Sequence, residues 1–333
     1  MRVFIRAESG PNVGVGHVMR SVTLAVELVS RGHAVRILSE TVPEFVKKRI
    51  TTNGIELVLP TVDASAIFFD EWRSDVLVVD GYGLASWVGK ASKASVPCVV
   101  IDDNHELPVD GVELVVNQNL HADTVPYPDN GPRLLLGSRY TLIRRELAPI
   151  LDQANKRETS RVLVAMGGTD PKRLTLPVVK QLSTHDEISH IEVALDADHI
   201  DRFDLDQMIL AGDGRVLRAD GDLTASFGRV GSAVVGGGST LWELAVLGIP
   251  SVAAIVAENQ VLGSRTAAAR GFTCAVDARR VEPRVSAEAL TEELVGILRS
   301  ADRYQAMSRS ASRLFDTEGP SRIADAIEAL EPR

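Results

Sequence analysis

The chain is short of several things, and each shortage removes a class of protein. It has two cysteines in 333 residues, too few for a disulfide framework or a cysteine-based zinc site. Cys98 and Cys274 both lie in apolar, strand-like runs and read as buried free thiols. No stretch is rich in lysine and arginine, and the formal net charge is −9, so no nucleic-acid partner is expected. Long apolar runs are missing too. The longest, Val246 to Ala257, is broken by Gly248 and Pro250 and is too short to span a bilayer. Met1 to Glu8 reads as a short strand rather than as the core of a signal peptide. A soluble, cytoplasmic protein is the expectation. The seven histidines form no close ligand pair, so neither a bound metal nor another cofactor is expected.

What is present is a regular alternation. With 45% hydrophobic and 24% charged residues, the chain can fill two cores of roughly 150 residues each. Strand-like runs fall near Val3–Arg6, Ala34–Leu38, Glu56–Leu59, Val76–Val79, Cys98–Ile101 and Leu114–Val116. Helical periodicity separates several of them, as in Val18–Arg31, Pro43–Thr52 and Leu84–Ser92. The rhythm restarts at Arg161–Ala165 and continues through Thr273–Val276. Continuous apolar strands of this kind are covered by helices on both faces of a parallel sheet. The fold class is therefore α/β, with two Rossmann-like domains. The polar stretch from Gln153 to Ser160 is placed as the linker, giving domains 1–152 and 153–333. The last amphipathic helix, Ser321–Leu330, is expected to pack back on the first domain.

In open parallel sheets ligands bind beyond the carboxyl ends of the strands, so residues that follow strands carry the chemistry. The first such loop runs Gly10-Pro11-Asn12-Val13-Gly14-Val15-Gly16-His17. Gly14 and Gly16 allow close approach of a ligand, and the helix start beyond them offers free N–H groups to phosphate. A dinucleotide site is the rival, since Gly14-x-Gly16 precedes Glu40, but the third glycine position holds Met19. His17, at that helix start, is the candidate general base; a structural or capping histidine is the alternative.

The second loop, Met166-Gly167-Gly168-Thr169-Asp170-Pro171, reads as an anion-accepting turn at a helix start. The third, Gly236-Gly237-Gly238-Ser239-Thr240, can cradle a diphosphate with its amides and hydroxyls. Glu243 lies one turn further on, where a carboxylate can accept both hydroxyls of a ribose. Asn259 and Gln260 open the next helix. Asp80-Gly81-Tyr82, Asp102-Asp103-Asn104-His105 and Asn117-Gln118-Asn119 also follow strands. Asp102 and Asp103 are neighbours at a strand end and point to opposite faces, which argues against a shared metal. Asp75, Glu113 and the acidic residues near the C-terminus read as solvated faces.

Taken in order, these motifs resemble a known family. Gly14-Val15-Gly16-His17-Val18-Met19-Arg20 looks like the G-x-G-H-x-x-R opening of the UDP-2,4-diacetamido-2,4,6-trideoxy-β-L-altropyranose hydrolases, which are grouped with SpsG-type spore-coat proteins and related to MurG. The likeness runs on through Asp80-Gly81-Tyr82-Gly83, Ile101-Asp102-Asp103-Asn104, Val116-Asn117-Gln118-Asn119, Tyr140-Thr141-Leu142-Ile143-Arg144, Met166–Asp170 and Asn259-Gln260. It implies the glycosyltransferase-B architecture, two Rossmann-like domains facing across a cleft, with the nucleotide held mainly by the second. It implies that His17 activates water to attack the anomeric carbon of a UDP-sugar with inversion, with Tyr82 near that histidine. Gly16 and the main chain around Gly237 to Thr240 would stabilise the leaving diphosphate, and Glu243 would hold the ribose. The chain departs from the family at Gly81, where Asp-His-Tyr is usual, and the departure leaves the sugar open.

The expected activity is thus a metal-independent nucleotide-sugar hydrolase. The alternative is an inverting glycosyltransferase using the same UDP-sugar donor and a small-molecule acceptor. A non-catalytic sugar-nucleotide binding protein is the third reading, disfavoured by His17 standing together with the glycine loops.

Overall fold

The computed structural model describes residues 1–10, 15–58, 72–153, 156–167, 170–195, 199–212, 214–219 and 222–330. The chain divides into two compact units, Met1–Ile143 with Thr317–Arg333, and Arg144–Asp316.

Among the described residues, the first unit has a seven-stranded sheet in the order β3-β2-β1-β4-β5-β6-β7. Its strands are β1 (Arg2–Ala7), β2 (Ala34–Leu38), β3 (Glu56–Val58), β4 (Val76–Asp80), β5 (Cys98–Ile101), β6 (Leu114–Asn117) and β7 (Arg133–Leu136). Every pairing is parallel. Strands β4, β5 and β6 are buried along their whole length, as their unbroken Val/Leu/Ile runs require of a sheet covered on both faces. Helix Gly16–Ser30 lays Val18, Val22 and Ala25 on one face of this sheet, the spacing of a single helical stripe.

The terminal helix Gly319–Glu328 belongs to this unit. Ile323, Ala324 and Ile327 join the same core as the helix Gly16–Ser30. A Cβ on Gly319 would stand 2.1 Å from the Thr141 carbonyl oxygen, so only glycine fits the approach. Arg31 donates to Asp325 at 2.6 Å and Glu328 at 2.9 Å, and His33 Nε2 lies 2.7 Å from Glu328. These acids therefore dock the helix rather than forming a plain solvated face. Glu113 departs from that expectation too, since its Oε2 accepts the Cys98 amide at 2.7 Å.

The second unit has, among the described residues, a six-stranded sheet in the order β10-β9-β8-β11-β12-β13. The strands are β8 (Glu158–Ala165), β9 (His190–Ala194), β10 (Val216–Arg218), β11 (Val230–Gly236), β12 (Ser251–Ile255) and β13 (Thr273–Asp277). They are likewise parallel. The division between units falls at Ile143/Arg144 rather than in the polar stretch 153–160. That stretch is stitched into the second unit. Arg157 donates to the carbonyls of Ile150, Phe227 and Leu247, and Glu158 already opens β8.

Strand β7 and the helices Arg202–Ala211 and Ala301–Ser312 go beyond the sequence pattern. Only Leu205 is buried in the first helix, and only Met307 and Ala311 in the second. So few buried positions leave no apolar stripe to read. Cys98 is buried, but Cys274 is half-exposed. Its Sγ stands 3.0 Å from Arg303 Nη2, because its strand lies at the sheet edge.

Candidate functional site

In the first sheet the strand order reverses between β1 and β4, and ligands of such folds bind beyond the carboxyl ends at that point. Two groups of residues meet there. Helix Gly16–Ser30 begins after β1 with no side-chain cap and no acidic residue in its first turn, leaving its first amides to a ligand or water. Strand β4 ends at Asp80. Residues 11–14 lie outside the described residues, and with them the predicted Gly14. A side chain on Gly16 would meet nothing within 4 Å among the described residues.

His17 and Asp80 form the centre of this site. His17 is 6% exposed and Asp80 fully buried, and His17 Nδ1 lies 2.7 Å from Asp80 Oδ1. Arg20, one helical turn on from His17, donates to the same carboxylate through Nε at 2.9 and 3.0 Å and through Nη2 at 2.6 Å. Nη2 also lies 3.0 Å from His17 Nδ1. Asp80 is held ionised and can only accept, so the short Nδ1–Asp80 contact is an imidazole N–H donating to carboxylate. That tautomer leaves the Nε2 lone pair as the proton acceptor. Nε2 has no hydrogen-bond partner among the described residues. Ser21 Oγ donates to Asp80 as well, at 3.0 Å.

A second carboxylate backs the first. Arg20 Nη1 donates to Asp103 at 2.8 and 3.0 Å, and Asn119 Nδ2 donates to it at 2.7 Å. Burial opposes ionisation of both acids. Arg20 and His17 outweigh it, holding Asp80 below the usual carboxylate range and Asp103 down to about 2. Burial likewise opposes the charge on Arg20, and the two carboxylates raise it well above its ordinary value. Asp102 turns the other way and caps the amides of Asn104 and Glu106, both at 3.1 Å. No group of three or more histidines, cysteines or acids is arranged to hold a metal ion among the described residues.

Tyr82 reaches His17 through an unusual backbone. Gly81 has φ of +155°, and a Cβ there would stand 2.3 Å from Glu8 Cβ. The glycine is therefore required by the close passage of Glu8, whose Oε2 accepts the Tyr82 and Gly83 amides at 2.6 and 3.1 Å. The Tyr82 ring stands edge-on to His17 with centroids 4.7 Å apart. Glu40, the acid of the rival dinucleotide reading, is paired with Arg6.

In the second sheet the order reverses between β8 and β11. Gly168 and Thr169 lie outside the described residues. Gly167 has φ of +93° with open space on its Cβ side. The helix after this loop starts at Thr175, not at Pro171. Asp170 is the reason, because its carboxylate accepts the Leu174 and Thr175 amides at 3.0 and 2.8 Å.

The glycines at the end of β11 and just after it divide into two kinds. A Cβ on Gly236 would press on the Met166 carbonyl at 3.0 Å, and one on Gly237 on Ser264 Oγ at 2.3 Å. These two are kept by packing. Gly238 has open space on its Cβ side, and helix Ser239–Val246 begins there with no side-chain cap and no acid in its first turn. Ser239 and Thr240 thus sit at a helix start that no side chain caps among the described residues. Glu243 accepts from Arg144, Nε to Oε1 at 2.6 Å and Nη2 to Oε2 at 3.3 Å. Gln260 is used inside its own turn, its Oε1 accepting the Val256 amide at 2.9 Å, and Asn259 lies beside it in the turn Glu258–Gln260.

Sequence reasoning left Arg20, Asp80, Asp103, Asn119 and Arg144 without individual roles. Asp80, Asp103, Asn119 and Arg144 each lie at or just after the end of an apolar run, and Arg20 one helical turn on from His17; those positions were the available signal.

Two Rossmann-like α/β domains, each built on a parallel sheet, define the glycosyltransferase-B fold. Solved structures agree across the chain. Acinetobacter baumannii MurG superposes with a TM-score of 0.66 at 14% identity, covering 99% of both chains. A UDP-N-acetylglucosamine 2-epimerase from Neisseria meningitidis, bound to UDP-GlcNAc, superposes with 0.68 at 11% identity, covering 99% of this chain and 100% of that one. No protein-family model matches. In sequence the chain is similar to the spore coat polysaccharide biosynthesis protein SpsG of Bacillus subtilis, 21% identical over 99% of this chain and 98% of that one. It is also similar to the UDP-2,4-diacetamido-2,4,6-trideoxy-β-L-altropyranose hydrolase of Campylobacter jejuni, 23% identical over 55% of this chain and 66% of that one. An uncharacterized Methanocaldococcus jannaschii protein is 26% identical over 59% of this chain and 42% of its own length.

Proposed function

We propose that the chain is a UDP-sugar hydrolase acting on an amino or deoxy sugar, with His17 as the base. The observation that carries this reading is the buried Asp80–His17 contact of 2.7 Å, which leaves Nε2 to take a proton from water. The water oxygen attacks the anomeric carbon, the C–O bond to the diphosphate breaks, and the electron pair leaves with UDP. Attack from the opposite face inverts the centre. Tyr82 packs the imidazole in place. In the second unit the amides at Ser239 and Thr240 meet the negative charge that grows on the leaving diphosphate. Glu243 accepts the ribose hydroxyls, and Gly167, Asn259 and Gln260 line the nucleotide side. Support comes from one relative named as a UDP-sugar hydrolase, another named for spore coat polysaccharide biosynthesis, and a fold neighbour that holds UDP-GlcNAc.

The same base acts equally well on an acceptor hydroxyl, so an inverting transferase is the second reading, and a fold neighbour named as a rhamnosyltransferase favours it.

Calorimetric titration with nucleoside diphosphates in EDTA tests the donor site. UDP is expected to bind at least about tenfold more tightly than ADP or GDP, a difference of about 1.4 kcal/mol. Ser239→Glu sets a carboxylate at the helix start and is expected to remove most of that affinity through repulsion of the diphosphate. Equal binding of all three nucleotides, or an unchanged Ser239→Glu variant, overturns the assignment.

A further inference from the structure

Arg144 belongs to neither glycine loop. It is the first residue of the second unit, only 6% exposed, and follows no glycine loop. Its guanidinium grips Glu243 with both Nε and Nη2, at 2.6 and 3.3 Å, and donates from Nη1 to Asp222 at 2.8 Å. It also lies 5.9 Å from the Phe227 ring centroid. An arginine confined in this way has one orientation, and it imposes that orientation on the carboxylate it holds.

A carboxylate has about four lone-pair positions, two on each oxygen. Arg144 uses one on Oε1 and one on Oε2, so one remains free on each oxygen. Two free acceptors fixed side by side match the paired hydroxyls of a ribose. Without the arginine, Glu243 keeps its charge but can rotate about its last bond, and the two acceptors no longer face one direction.

We propose that Arg144 is the positioning residue for ribose recognition, holding the Glu243 carboxylate so that it takes the 2′- and 3′-hydroxyls together. The inference rests on the nucleotide reading above and adds the residue that sets selectivity for ribose over deoxyribose. Asp222 completes the clamp. It accepts the Thr224 amide at 3.0 Å and so ties the far side of the guanidinium to the start of the next short helix.

The test is the ratio of affinities for UDP and 2′,3′-dideoxy-UDP, measured by calorimetry on the full chain. The wild-type protein is expected to prefer UDP by about a hundredfold or more, the worth of two hydrogen bonds to a charged acceptor. Arg144→Lys keeps the charge but has no planar fork, and it is expected to bring the ratio to within about threefold while leaving dideoxy-UDP affinity unchanged. Glu243→Gln is expected to lose the preference as well. A general loss of fold weakens both nucleotides alike and leaves the ratio intact, so the ratio separates positioning from stability. If Arg144→Lys fails to fold, Asp222→Asn loosens the same clamp from its exposed end and is expected to lower the ratio. A ratio unchanged in the folded variants overturns the proposal. Wild-type UDP binding without ribose preference overturns it and leaves the nucleotide reading standing; no UDP binding at all removes both.

Discussion

His17→Ala is expected to lower the turnover number for UDP-sugar hydrolysis by about 10² to 10⁴, the usual contribution of a positioned general base, while UDP affinity stays within about twofold. The split follows from where the groups sit. His17 belongs to the unit Met1–Ile143, and the helix start at Ser239 belongs to the unit Arg144–Asp316. Removing the imidazole takes away the acceptor for the water proton and leaves the diphosphate contacts untouched. His17→Gln keeps a polar side chain of similar reach but no basic nitrogen, and is expected to fall as far as alanine. Steady-state kinetics at saturating donor, paired with UDP titration, measures both quantities. Retention of turnover within tenfold by either variant removes His17 as the base.

The second large effect is structural. Asp80→Asn is expected to cost about 3–5 kcal/mol of stability, the range for breaking a buried ion pair from one side. That is a large part of the roughly 5–15 kcal/mol that holds a domain folded. Every hydrogen-bonding neighbour of Asp80 is a donor: His17 Nδ1, Arg20 Nε and Nη2, and Ser21 Oγ. An asparagine loses the charge, and its NH2 finds no acceptor on Arg20; Ser21 Oγ or His17 Nδ1 can take it only by giving up the N–H or O–H now donated to Asp80. Arg20 loses one of its two counter-charges as well and keeps only Asp103. Urea denaturation followed in parallel with turnover is the measurement. A midpoint equal to wild type contradicts the ion-pair network as drawn, and a lower midpoint with full turnover contradicts the orienting role of Asp80.

Much of the fold was legible because the strands are buried on both faces and therefore read as continuous apolar runs. Val76 to Asp80 and Cys98 to Ile101 are two such strands. Elements that bury little escaped. Helix Arg202–Ala211 leaves Phe203 and Leu210 exposed, so its apolar residues mark no inner face. The polar stretch at 153–160 looked like a linker because Arg157 is a charged residue whose partners, the carbonyls of Ile150, Phe227 and Leu247, are backbone atoms that no side-chain pattern reports. The site was legible in part. Glycine loops and His17 announce themselves by following strands. The Asp80–Arg20–Asp103 chain does not, since it joins three segments far apart in sequence. Glu243 is a different lesson. The carboxylate was visible, but the arginine that holds it comes from the start of the unit, 99 positions away.

The account stands on water attacking the anomeric carbon, and isotope placement tests that most directly. The wild-type protein is incubated with a UDP-2,4-diacetamido-trideoxyhexose in H₂¹⁸O without acceptor, and the products are weighed by mass spectrometry. The account predicts one ¹⁸O in the free sugar, none in UDP, and both products in equal amounts. Label in a phosphate means cleavage on the phosphorus side and contradicts it, and a donor that stays intact until an acceptor is supplied makes the protein a transferase instead.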